Sequence, residues 1–94
     1  MEAQTLNTVK NWFDKHDSKT IANQIALTIK EMRTGGNALL GTKEFTQSEM
    51  LEIDSIYKSF RGEEKDFSNY VRFMEIIGYD DITANVAHSD CHGL

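Results

Sequence analysis

Apolar side chains recur along this chain at intervals of three and four residues, the spacing that lays them along one face of an α-helix. Leu6, Val9, Trp12, Phe13 and His16 form the first such stripe and predict a helix from about Thr5 to His16. Asp17-Ser18 then offers a cap for a second helix, about Lys19 to Arg33. Its stripe is Ile21, Ala22, Ile25, Ile29 and Met32, and Gly35-Gly36 ends it. Lys30 and Arg33 suit the negative pole of that helix.

The third helix carries the clearest local signal. Thr46-Gln47-Ser48-Glu49 fits a capping box, and Phe45 with Met50 fits the hydrophobic staple around it. Met50, Ile53, Ile56, Tyr57 and Phe60 follow as a buried stripe, Asp54 and Lys58 form an i,i+4 pair outside, and Gly62 is the expected stop. A fourth helix, starting at Glu63 or Asp66, carries Phe67, Tyr70, Val71, Phe73, Met74, Ile76 and Ile77 up to Gly78. Glu63, Glu64 and Asp66 are expected to supply its electronegative first turn. A short fifth helix after Asp80-Asp81 would use Ile82 and Val86. No segment alternates with the period of a half-buried strand. The expected fold is all-α: a small four-helix arrangement with a short C-terminal addition, one domain over residues 1–88 and a tail over 89–94.

Composition narrows the class without naming a function. The 94 residues are 39% hydrophobic and 27% charged, which excludes a disordered chain and fits one soluble domain. No apolar run reaches the roughly 18–20 residues of a membrane span, and MEAQTLNTVK holds no signal-peptide core. A single cysteine forbids an internal disulfide, so a reducing cytoplasm is the expected location. The net charge of −5 is uneven: residues 1–43 hold six Lys/Arg against four Asp/Glu, and residues 44–94 hold four against eleven. That acidic half repels nucleic acid and can steer a basic partner.

Three constellations invite a chemical reading. Gly36 to Lys43 imitates a phosphate-binding loop, but its Thr42-Lys43 order is reversed and it follows a helix instead of a strand. His88, Asp90, Cys91 and His92 are all metal-ligating types, yet a closed zinc site draws on two separated pairs and the chain has no second one. Cys91 has no base oriented toward it, and His16 reads as a core-edge histidine at a helix C-terminus. No enzyme activity, cofactor or metal is therefore expected.

What remains is surface. Leu27 falls outside the apolar arc of the second helix, Leu51 outside that of the third, and Ile76 widens that of the fourth. These three, with the acidic Glu52, Asp54 and Glu75, are the expected partner-binding residues. The chain thus reads as a small acidic non-catalytic protein-binding module of the phage or bacterial regulator type. It would regulate or inhibit a partner, basic if charge steers it, by occupying its surface, alone or as a homodimer. The alternative is a helix-turn-helix nucleic-acid binder over residues 6–33, with Thr20, Asn23, Gln24 and Lys30 on its reading face and Lys10, Lys15, Lys19 and Arg33 on phosphates. The acidic half weighs against it.

Overall fold

In the computed structural model, residues 3–36 and 42–78 are described; they form four helices and no strand. The helices are α1 (Ala3–Lys15), α2 (Ser18–Thr34), α3 (Gln47–Arg61) and α4 (Phe67–Ile77). The fold is all-α, as the periodicity implies. The expected fifth helix and the tail lie outside the described residues.

Each boundary has a local cause. Asp17 caps α2, its carboxylate accepting the Thr20 N–H at 2.8 Å. Thr46 and Glu49 close the expected capping box: Thr46 Oγ1 accepts the Glu49 N–H at 3.1 Å, and Glu49 Oε1 accepts the Thr46 N–H at 2.9 Å. Phe45 and Met50 both pack against the core. Gly35 and Gly78 end α2 and α4 in the left-handed region, at φ 72° and 71°, where a Cβ would be strained.

The end of α3 departs from expectation. Gly62 has φ −83°, and the left-handed position falls one residue later, on Glu63 at φ 69°. Glu63 N–H donates to the Phe60 carbonyl and Glu64 N–H to that of Ser59, both at 3.0 Å. That is a Schellman closure with glutamate where glycine is usual. Glu63 and Glu64 therefore belong to the connection, and Asp66 alone caps α4, accepting the Ser68 N–H at 2.9 Å.

Packing divides into an aromatic end and an aliphatic end. At the first, Phe13 of α1 meets Phe60, Phe67 and Tyr70 at ring separations of 6.0, 5.0 and 5.7 Å. Phe60 is fully buried, stands edge-on to Tyr70, and accepts the Ser18 hydroxyl at its carbonyl. That last contact sets the start of α2 beside the end of α3, so the two helices run antiparallel. At the other end Lys43 is a strut. Its N–H donates to the Met32 carbonyl at 3.0 Å and its amine to that of Ile76 at 2.8 Å. Ile25, Ile29, Met32, Ile53, Met74, Ile76 and Ile77 fill the space between.

Two stability predictions follow from these ends. Thr46→Ala should cost about 1 kcal/mol in denaturant unfolding. Glu49 accepts the Thr46 N–H, which holds its carboxyl below the ordinary 4.5. Its contribution is therefore present above that value and lost as pH falls through the lower native one. Glu49→Gln should accordingly lessen the drop in melting midpoint on acidification below pH 4.5. Glu63→Gly should stabilise by roughly 0.5–1 kcal/mol, since glycine takes φ near 69° without the Cβ penalty. An unchanged or lowered midpoint would contradict that.

Candidate interaction surface

At the aliphatic end, α2 and α3 do not close on one another along their outer edges. They leave an open groove of about 520 Å³. Its floor is made by Ile25, Ile29 and Ile53, flanked by Ala26, Met50 and Tyr57. The α2 wall carries Lys30, Arg33 and Thr34, and the α3 wall carries Asp54. This placement follows from helix geometry, because Ala26, Ile29, Lys30 and Arg33 share one flank of α2 at spacings of three and four.

The charges on the two walls differ in what occupies them. Asp54 is held by Lys58 at 3.0 Å, both exposed and one turn apart. Lys30 and Arg33 are exposed, and neither side chain has an ion-pair partner among the described residues. The groove thus carries two uncompensated positive charges on a chain whose net charge is −5.

Both expected outward leucines are exposed, and neither lines this groove. Leu27 is 49% exposed and follows groove-lining Ala26; Leu51 is 64% exposed and follows Met50. Ile76 corrects the sequence reading: it is 5% exposed and belongs to the core. On α4 the buried arc runs from Ile76 round to Met74, and Val71 at the opposite margin is only half-buried. A wide apolar arc leaves its rotation undetermined, and packing against α3 with the Lys43 strut turned it toward Ile76.

The three acidic candidates separate. Residues two apart on a helix point about 200° from each other, so Glu52 and Asp54 leave α3 on opposite sides. Glu52 takes a two-pronged contact from Arg72 of α4, which holds the guanidinium still more firmly in its charged form. Glu75 is exposed on α4 and acts on the same guanidinium from a distance. Glu52 and Glu75 therefore form an α3–α4 patch around Arg72, away from the groove, while Asp54 lines it.

The groups with chemical potential are engaged structurally. Thr20 hydrogen bonds lower the Asp17 carboxyl, and Glu49 is held by its capping box. His16 donates from Nδ1 to the Trp12 carbonyl at 2.7 Å and stacks on the Trp12 ring at 4.5 Å. His88, Asp90, Cys91 and His92 lie outside the described residues, among which no group of three or more His, Cys, Asp or Glu could hold a metal. No described helix is long and apolar enough to cross a membrane.

The sequence reading missed Ala26 and Tyr57, and it gave Lys30 and Arg33 roles at the helix pole and in the nucleic-acid alternative but none beside an apolar groove. Their spacing was visible, but an open seam between two helices is a tertiary fact. The corrected geometry has a direct check: Ile76→Lys should abolish cooperative unfolding, whereas Leu51→Lys should leave the melting midpoint within about 0.5 kcal/mol of the parent in stability.

No family model, curated protein or solved structure matches this chain.

Proposed function

We propose that this chain is a non-catalytic protein-binding module that regulates or inhibits a partner by occupying its surface. The observation that carries the reading is the open apolar groove between α2 and α3, together with two large apolar side chains, Leu27 and Leu51, left exposed on the same two helices. An apolar groove and large apolar side chains left in water are costly to keep exposed, and an interface recovers that cost as buried area. Binding needs only such a patch, whereas catalysis needs an oriented constellation. The carboxylates of Asp17, Glu49, Glu52 and Asp54 are spent on caps and ion pairs.

The outer face of α2 supports a nucleic-acid reading less well. Leu27 stands in the middle of it, with Glu31 one turn on. A phosphate-tracking face draws its affinity from uninterrupted positive charge.

Immobilised parent and Leu51→Lys, each exposed to host lysate with and without nuclease, test the proposal. A protein held by the parent through nuclease treatment and lost by the variant supports it. Retention that nuclease removes replaces it with the nucleic-acid reading. A parent that retains nothing specific overturns it.

A further inference from the structure

The chemistry of the α2–α3 groove runs opposite to the charge of the chain that carries it. Ile25, Ile29 and Ile53 make an apolar floor, and Lys30 and Arg33 stand on one wall. The cations do not serve the groove's own interior, since Asp54 across from them is already held by Lys58 at 3.0 Å. Nor does solubility require them there, in a chain with fifteen carboxylates against ten Lys/Arg. A basic partner, which the net charge of −5 would suggest, meets like charge at this surface.

We infer that the groove receives an amphipathic helical segment of a partner protein, with apolar residues on one face and acidic residues flanking them. The reading rests on the proposed protein-binding function and names the partner's chemistry. Two antiparallel helices present a linear seam, and a third helix laid along it places residues i, i+3, i+4 and i+7 on the isoleucine floor. Carboxylates along the edge of the incoming helix then meet Lys30 and Arg33, which are one turn apart on α2. The overall negative charge does not prevent this. Interactions between exposed charges are screened beyond about 8 Å at physiological salt, so the local pair outweighs distant carboxylates.

The test uses two labelled peptides of about 14 residues, with identical leucines at i, i+3, i+4 and i+7 and either glutamates or lysines beside them. Binding to the full chain is read by fluorescence anisotropy at physiological salt. The glutamate peptide should bind the parent at least about tenfold more tightly than the lysine peptide. Lys30→Glu with Arg33→Glu should reverse that order, while Lys19→Glu, at the far end of α2, should leave it unchanged. Both groove cations are exposed, so a helical spectrum equal to the parent's confirms that the double variant folds. Equal or preferred binding of the lysine peptide, no binding of either, or indifference to the double reversal would overturn the inference. A dimer of the parent dissociated by the double reversal would make a second copy the occupant and overturn it too, as would an oligonucleotide bound through the same two cations. Capture of a lysate protein that needs Leu51 but ignores Lys30 and Arg33 would remove the acidic helix and leave the binding module standing.

Discussion

One residue, Phe60, ties the four described helices to one another. Its ring is fully buried against Phe13 of α1 and Tyr70 of α4, and its carbonyl accepts the Ser18 hydroxyl at the start of α2. It also accepts the Glu63 N–H that turns the chain out of α3. A ring of this size in a 94-residue chain brings a large share of the apolar burial to one point. The helices converge there, and their arrangement elsewhere is a consequence. Convergence at the aromatic end makes α2 and α3 antiparallel neighbours, and their smaller side chains at the far end leave a seam that becomes the groove.

The sequence was informative where structure is decided locally. A capping box is four consecutive residues satisfying each other's donors, so Thr46 and Glu49 could be read before any packing was known. The glycine stops of α2 and α4 are equally local. Gly62 marks the limit of such reading. Its presence signals a stop, yet the left-handed residue is Glu63, because the last turn of α3 extends to bury Phe60 and the closure forms around that register. A one-residue shift costs strain at Glu63, and burial of an aromatic ring outweighs it.

The candidate site was half legible for a related reason. Leu27 and Leu51 lie outside narrow apolar stripes, so their exposure could be read from the wheel. Ile76 lies at the margin of a broad one, where the wheel does not say which edge is buried. Lys30 and Arg33 were explained by the helix dipole, which is correct physics for the end of α2 and silent about the neighbouring helix. Only the placement of α3 alongside gives them an apolar floor to stand over. The acidic half suggested a basic partner because summed charge carries no direction, whereas a binding surface is defined by which charges lack a counterpart.

The central claim is that recognition occurs on the α2–α3 seam and not on the α3–α4 patch around Arg72. Isoleucine methyl resonances report this directly, because Ile25, Ile29 and Ile53 line the seam and Ile76 and Ile77 do not. During titration with the acidic amphipathic peptide, the methyl signals of Ile25, Ile29 and Ile53 should move progressively, with those of Ile76 and Ile77 fixed. Movement of Ile76 and Ile77 with Ile25, Ile29 and Ile53 unmoved would contradict the account.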